Sequence, residues 1–324
     1  MSLAYRNTES IAAELGGQAV MLPGTSAKAP KVSVVLTTYN RAHLLPATIE
    51  SILAQTFADF ELVISDDCSP DETEKVCKDY ERSDARVRYR RGPKNLGMPG
   101  NLNAGIQASS AEYIANLHDG DLYDSTLIEK WCAALEAYPQ AAFVFNAYRE
   151  IDSSGRTVRV YRESLDPCVP GPLLLERIFF RRWLFSSPVW GTVMGRRSAY
   201  LKVGLFEPRF GFVSDVDMWM RLAESFDVAY ISEPLISLAS RQAAPRLWGG
   251  AEDLVQKQIE RMFWEARLRH YQSQRTRLLL EVLRHEAFAL TNRAYSFACI
   301  SKARVTRAFG WRGRAQVGSE TAKQ

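Results

Sequence analysis

Lys31-Val32-Ser33-Val34-Val35-Leu36-Thr37-Thr38-Tyr39-Asn40-Arg41 is the stretch from which the rest of the chain can be read. Val32–Leu36 is an almost continuous apolar run, rich in β-branched residues and interrupted only by Ser33. It lacks the alternation of a half-exposed strand, so it reads as a strand buried on both faces. The chain then turns polar at Thr37. A buried strand of this kind delivers its last polar residues to the carboxyl edge of a sheet, where open α/β sheets bind ligands.

The pattern continues outward from this strand. Leu45, Ile49, Ile52, Leu53 and Thr56 recur at helical spacing. Phe60–Ser65 reads as a second strand, 71–82 as a helix, Val87–Tyr89 as a short strand and 99–109 as a helix. Glu112–Leu117, a helix over 125–137 and Ala142–Asn146 follow. Strands alternating with helices of this length predict βαβ units and a mainly parallel sheet flanked by helices. Beyond 150 the regularity weakens. Ser153-Ser154-Gly155, Pro167, Pro170 and Pro172 predict a turn and an irregular loop over 152–172. Helices are expected over 173–182, 196–203 and 215–225, and a late strand at Val228–Ile231. Residues 1–30, with Gly16-Gly17 and Pro23-Gly24, read as a flexible arm, with room for a short helix at 8–15. From 252 to about 309 the chain reads as helical, with Val255, Ile259, Met262, Phe263 and Ala266 on one face. This divides the chain into an arm (1–30), an α/β domain (31–240) and a C-terminal helical extension (241–324).

Composition excludes several classes. The chain has 324 residues, of which 46% are hydrophobic and 24% charged, close to a globular average, so disorder and fibrous classes do not fit. No apolar run is long enough to span a membrane. The first thirty residues lack a basic-then-apolar leader pattern. Cys68, Cys77, Cys132, Cys168 and Cys299 are odd in number and widely spaced, which predicts reduced thiols in a cytoplasmic protein and no zinc cluster. The formal net charge of +4 conceals an asymmetry. Residues 241–324 carry 16 Lys/Arg and 7 Asp/Glu, while residues 1–240 carry 25 and 30. The two parts are therefore expected to meet different partners.

The residues that follow the strands carry the chemistry. Asp66-Asp67-Cys68-Ser69 follows the second strand and His118-Asp119-Gly120-Asp121 the fourth. The fold would bring Thr37, Asp66, Asp67, Asp119 and Asp121 to one edge. Neighbouring carboxylates repel unless a cation or hydrogen-bond donors neutralise them. An Asp-x-Asp at a strand end suits a hard divalent cation such as Mg²⁺ or Mn²⁺, which can bridge to a diphosphate. A carboxylate such as Asp67 can accept bonds from a base N–H or ribose hydroxyls. Each piece has a plainer reading too: Asp-Gly-Asp as a turn, and Asp66–Ser69 as a helix-capping turn.

Together these stretches closely resemble the family 2 glycosyltransferases. The resemblance rests on 31–41, on Gln55–Asp67 and on His118–Asp121. It extends through Asn95-Leu96-Gly97, through Asn101, Asn103 and Gly105, and through Ser214-Asp215-Val216-Asp217-Met218-Trp219-Met220-Arg221. It covers about residues 31–240 and has the flavour of the bacterial spore-coat-polysaccharide type. It implies the GT-A fold, a Rossmann-like α/β architecture, and an inverting, hexosyltransferase-type enzyme using a UDP- or dTDP-sugar. Thr37 and Asp67 would hold the base and ribose, with Tyr39 flanking the base. Asp66 would assist or cap its turn. Asp119 would contact the ribose or the metal, and Asp121 would be the principal ligand of Mg²⁺ or Mn²⁺. Asn95, Asn101 and Asn103 would line the nucleotide-sugar cleft or order the 95–105 loop. Asp215 matches the catalytic base; on its helix Trp219 reads as packing and Arg221 as a structural ion-pair partner. The acceptor would be a glycan or a lipid-linked molecule, in cell-envelope or surface polysaccharide synthesis.

Two departures from the family stand out. Ser214 occupies a position that is often Glu, so it cannot share the acidic role. Leu238-Ala239-Ser240-Arg241-Gln242 offers no histidine where many relatives carry one for metal, so either metal binding is weak or Arg241 replaces part of the cation's role at the diphosphate. His118 either touches the site or is structural. Gly191 is either an acceptor-side wall approached closely by the sugar or a tight turn. Trp183, Trp190 and Phe212 either stack on a sugar or pack in the core. The basic tail is open to three readings: a peripheral membrane contact at the inner face, a homodimer element, or an amphipathic helix pair packed on the catalytic domain. No nucleic-acid module accompanies its charge, so nucleic acid is not an expected partner. Two other classes compete with the transferase: a catalytically inert nucleotide-sugar-binding scaffold, and a sugar nucleotidyltransferase. The latter would show a Gly-rich loop after the first strand, and Thr37–Arg41 is not one.

Overall fold

The computed structural model describes residues 29–181, 189, 191–239 and 252–271. The arm expected over 1–30 (its last two residues apart), Trp183, Trp190, Arg241 and the tail beyond 271 lie outside the described residues.

In the first half, strand and helix alternate as β1 (Val32–Thr38), α1 (Leu45–Leu53), β2 (Phe60–Asp66), α2 (Thr73–Ser83), β3 (Val87–Arg91), α3 (Gly97–Ala108) and β4 (Tyr113–His118). Then come β5 (Asp121–Tyr123), α4 (Leu127–Ala137), β6 (Ala141–Ile151), β7 (Thr157–Tyr161), β8 (Cys168–Val169) and α5 (Gly171–Arg181). The described chain ends with β9 (Val193–Arg196), α6 (Arg197–Val203), a 3-10 turn at Pro208–Val213, α7 (Ser214–Ala223), β10 (Asp227–Ala239) and α8 (Glu252–Tyr271).

The strands form one sheet in the order β3-β2-β1-β4-β9-β6-β10-β5, with β7 beside β6 and β8 beside β10. β1 runs parallel to β2 and β4, and β2 parallel to β3. β9 is inserted antiparallel between β4 and β6. This is the expected α/β architecture with helices on both faces.

The apolar run of β1 is explained by the layers. Val32, Val34 and Leu36 enter one core cluster with Leu45, Ile49, Ile52 and Trp131. Val35 enters the opposite cluster with Leu102, Ile106, Phe143 and Trp219. A strand with a core on each side has no solvent face, so it shows no alternation. Ser33 is the one polar interruption, and it is satisfied: its hydroxyl donates to Glu61 Oε1 (2.6 Å) and accepts from the Ala111 N–H (3.0 Å).

The second half departs from the sequence reading in three places. The irregular loop expected over 152–172 contains β7, which folds back antiparallel on the end of β6, and the short β8. Local turn residues disclose the hairpin bend at 152–156 but not the distant partner that pairs β8. The late strand expected at 228–231 runs from Asp227 to Ala239 as β10, with register shifts against β6 around Ile231–Ile236 that absorb Pro234. Asp121 stands in a strand, paired with Leu238 of β10, rather than in a free turn.

Helix α8 packs on the α/β domain. Met262, Phe263 and Ala266 are buried in the cluster that holds Trp219. Asp217, 1% exposed, lies 2.8 Å from Arg221 Nε and 3.8 Å from Arg269 Nη2 of α8. Arg269 also binds Glu224 (3.0 Å), and Arg221 donates to the carbonyls of Val203 and Leu205. Arg221 therefore neutralises a buried carboxylate and caps a loop at once. Arg221→Ala should cost about 3–5 kcal/mol, because Asp217 would remain buried without its closest partner. Urea unfolding of the two proteins at pH 7.5 measures this, and a loss below about 1 kcal/mol would assign the pair to the surface class.

Candidate active site

The parallel register of β1 with β2 and β4 sets Thr38 opposite Asp66 and Thr37 opposite His118. Three polar strand ends thus meet at one edge, over a cleft of about 350 Å³. Thr37, Thr38, Tyr39, Arg41, Asp67, Asn95, Gly97, Met98, Asn101 and Asp119 line it.

Two non-glycine residues adopt positive φ at this edge, Asn40 (55°) and Cys68 (66°). L-residues seldom sit there, and such backbone persists only where the surroundings hold it. Here the two loops brace each other. The Asn40 N–H donates to Ser69 Oγ (2.8 Å), the Ala42 N–H to Asp71 Oδ2 (3.0 Å), and the Asp67 N–H to the Thr38 carbonyl (3.0 Å).

The adjacent aspartates divide their work. Asp66 is fully buried and turned inward. Its Oδ1 accepts from the Ser69 N–H (2.9 Å) and hydroxyl, and its Oδ2 from Tyr89 OH (2.7 Å). It caps its turn, the second of its expected roles. Asp67 lines the cleft, and one of its oxygens accepts from the Leu96 N–H (2.7 Å), which anchors the 95–97 segment. The asparagines divide similarly. Asn95 lines the cleft while accepting from the Gly97 N–H (3.0 Å). The Asn101 amide is engaged beneath the cleft, donating to the Ser65 carbonyl (2.7 Å) and accepting from Ser65 Oγ (2.6 Å). Asn103 is outside the cleft lining, exchanging two bonds with the Phe206 backbone (2.8 and 2.9 Å).

The Asp119-Gly120-Asp121 turn is stapled from both sides. The buried Thr48 hydroxyl accepts from the Gly120 N–H (3.0 Å) and donates to the Asp121 carbonyl (2.9 Å). Tyr123 OH accepts from the His118 N–H and donates to the His118 carbonyl, both at 2.9 Å. Gly120 has φ of +87°, which a side chain would strain. Burial pushes the Asp119 carboxyl up, opposed among others by the Arg41 guanidinium, whose Nε is 3.9 Å away. Arg41 is the cleft cation to which the sequence reading assigned no role; its place three residues past the end of β1 was the available signal.

Asp215 stands in the first turn of α7, half-buried, with Oδ1 accepting from the Val216 N–H (2.7 Å). Burial lifts its carboxyl to about 6. Gly191 links it to the Asp119–Asp121 turn. A Cβ on Gly191 would lie 3.1 Å from Asp215 Oδ2 and 2.7 Å from His118 Cε1. The Asp-Gly-Asp turn therefore lies between the cleft, through Asp119, and Asp215, through His118. Trp219 is fully buried against Phe143 and Phe206, as its packing role requires.

Two carboxylates on one turn fit a hard cation that takes its remaining ligands from phosphate oxygens and water. They do not fit a closed protein cage: among the described residues no group of three His, Cys, Asp or Glu could hold a metal.

Comparison with known proteins gives a family and a fold. The family described as Glycosyl transferase family 2 matches residues 33–204, just over half of the chain. A Bacillus subtilis protein named as a glycosyltransferase, EpsE, is 32% identical over 201 residues, 60% of this chain and 67% of that protein. A Campylobacter jejuni protein named GalNAc(5)-diNAcBac-PP-undecaprenol beta-1,3-glucosyltransferase is 39% identical over 93 residues, 28% of this chain and 30% of its own length. Among solved structures, Staphylococcus aureus TarS 1-349 in complex with UDP-GlcNAc superposes with a TM-score of 0.58 at 18% identity, covering 74% of this chain and 66% of that one. A mannosyltransferase from Pyrobaculum calidifontis in complex with GDP-Man and Mn²⁺ gives 0.52 at 16% identity, covering 75% and 65%. These two likenesses establish a shared fold.

The raised Asp215 carboxyl has a consequence for stability. Its ordinary value is about 3.8 and its folded value about 6, so the folded state holds this proton more tightly than the unfolded one. Asp215 thus weakens the fold increasingly as pH rises from about 4 to about 6, and fully above that. Asp215→Asn should gain on the order of 1–2 kcal/mol at pH 7.5 and nothing at pH 4. Thermal melts at the two pH values test this; a loss of stability at pH 7.5 would mean that the carboxylate has a cationic partner.

Proposed function

This chain belongs to glycosyl transferase family 2, and we propose that it is an inverting transferase that moves a sugar from a UDP- or dTDP-sugar to an acceptor hydroxyl. The observation that carries this reading is the continuity of one polar edge: the cleft walled by Asp67, the Asp119–Asp121 turn beside it, and Asp215 just beyond Gly191.

Asp67 and Thr37 take the base and ribose, with the exposed ring of Tyr39 against the base. Asp119 and Asp121 would hold Mg²⁺ or Mn²⁺ against the diphosphate, where the cation supplies charge neutralisation for the leaving group. Arg41 adds a fixed positive charge on the same wall. At Asp215, one carboxylate oxygen takes the acceptor's hydroxyl proton as the acceptor oxygen bonds to the anomeric carbon. The bond from that carbon to the diphosphate oxygen breaks on the opposite face. The nucleoside diphosphate leaves, the configuration inverts, and no covalent enzyme intermediate forms. A base lifted to about 6 is still ionised near neutrality and accepts a proton more readily than an unperturbed Asp.

The acceptor class remains that expected from the sequence, a glycan or lipid-linked molecule of surface polysaccharide synthesis. No helix among the described residues is long and apolar enough to cross a membrane. A membrane-borne acceptor would be met peripherally at the cytoplasmic face through the basic C-terminal region, as its charge suggests.

Calorimetry with UDP, dTDP, GDP and CDP, each in Mn²⁺ and in EDTA, tests the cleft. UDP or dTDP should bind with Mn²⁺ and lose at least about tenfold in affinity in EDTA, while Mn²⁺ alone should bind weakly, since two carboxylates leave most of its coordination open. Binding of none of the four would sink the nucleotide assignment. Nucleoside diphosphate release from a panel of UDP- and dTDP-sugars tests the base. Asp215→Asn should retain nucleotide binding and lose roughly 10²–10⁴-fold in turnover, falling for the wild type as pH drops through about 6. Turnover unchanged in Asp215→Asn would remove it from the mechanism.

A further inference from the structure

Gly191 is buried just before β9, and its φ is outside the left-handed region, so its backbone conformation does not call for glycine. Space does. A Cβ there would lie 2.7 Å from His118 Cε1, 3.2 Å from His118 Nε2 and 3.1 Å from Asp215 Oδ2. The first distance is one that real Cβ atoms essentially never show. The imidazole edge from the end of β4 and the carboxylate from the start of α7 therefore press on the same small space above Gly191. They can be no farther apart than these two distances laid end to end.

The environment of Asp215 is consistent with that contact. Burial drives its shift, opposed by the N–H groups of Val216 and of Asp215 itself, and no ion pair figures among the causes. Of the charged groups on the flanking elements, Asp119 and Asp121 lie on the turn that follows His118, while Asp217 on α7 faces Arg221 and Arg269. Glu224, farther along α7, is bound by Arg269. Protein bulk, not a charged neighbour, raises this carboxyl.

We propose that His118 is a positioning residue for Asp215: its ring, seated against Gly191, walls off one side of the carboxylate and holds Oδ2 in a single orientation toward the acceptor. The catalytic consequence rests on reading Asp215 as the base; the contact itself stands on geometry. His118 acts through Asp215 and transfers no proton. Glycine at 191 is the complementary part, since any side chain there would push the ring and the carboxylate apart.

The test is carbon-13 NMR of full-length protein labelled at the aspartate carboxyl carbons, in EDTA, with the Asp215 signal assigned by its loss in Asp215→Asn. His118→Ala should admit water and lower the Asp215 midpoint by about one pH unit. His118→Phe, which keeps a flat ring, should hold the midpoint within about 0.3 of the wild type. Gly191→Ala, which adds only a methyl group, is the second probe should His118→Ala fail to fold; it should displace the signal and its midpoint. An unchanged midpoint in His118→Ala, or in Gly191→Ala where the former does not fold, would overturn the proposal. In turnover, His118→Ala should lower kcat by roughly ten- to a hundredfold with the donor KM little changed. A loss confined to nucleotide binding would place His118 at the Asp119 turn instead and overturn the proposal too. If the wild type turns over no nucleotide sugar, the proposed function fails while the NMR midpoint still decides the contact.

Discussion

The parallel pairing of β1 with both β2 and β4 is the constraint on which the rest depends. A strand buried on both faces must be apolar along its length, so polar groups can be placed only beyond its end. Register then does the remaining work. With Thr38 opposite Asp66 and Thr37 opposite His118, three separate chain segments stop at one level. A slip of one residue in the β1–β2 pairing would turn Asp66 and Asp67 to exchanged faces and undo the roles these two residues hold.

That separation is the site's main electrostatic device. Four aspartates lie near one edge, and they are kept from repelling one another by being used differently. Asp66 is spent on Ser69 and Tyr89, where it ties its own turn to β3. Asp67 faces the cleft with part of its accepting capacity committed to Leu96. Asp119 is balanced in part by Arg41. Asp121 is set apart in β5, where pairing with β10 and the Thr48 hydroxyl hold its backbone. The strain at Asn40 and Cys68 persists because this bracing over-determines both loops.

Asp215 belongs to a different structural system. It rides on α7, a helix anchored from below by Trp219 in the core and from the side by the Asp217–Arg221–Arg269 cluster. Helix α8 takes part in that cluster, so part of the basic C-terminal region is structurally tied to the helix that carries Asp215. The first turn of α7 and the β4 end both crowd the space above Gly191. A carboxyl held up by burial rather than by a charged neighbour costs the fold some stability near neutrality.

Much of this was legible in the residues. The β1 run, its polar ending, the alternation of strands and helices to Asn146, and the aspartates after β2 and β4 all follow from local rules of burial and periodicity that act over a few residues. They determined the fold class and the edge on which chemistry had to lie. What only the tertiary structure decided depends on partners far apart in the chain. Nothing within 152–172 announces that Cys168 will pair with β10, because a two-residue strand is defined by its neighbour. Nothing in Asp66-Asp67 says which carboxylate turns inward; that follows from where Tyr89 and Ser69 place their donors. Asn101 and Asn103, alike in the sequence, are engaged by Ser65 and Phe206 because a helix presents residues two apart to different sides. Glycine at 191 and histidine at 118 are unremarkable in isolation. Their meaning comes from a contact between segments separated by more than seventy residues, which packing creates and local sequence does not record.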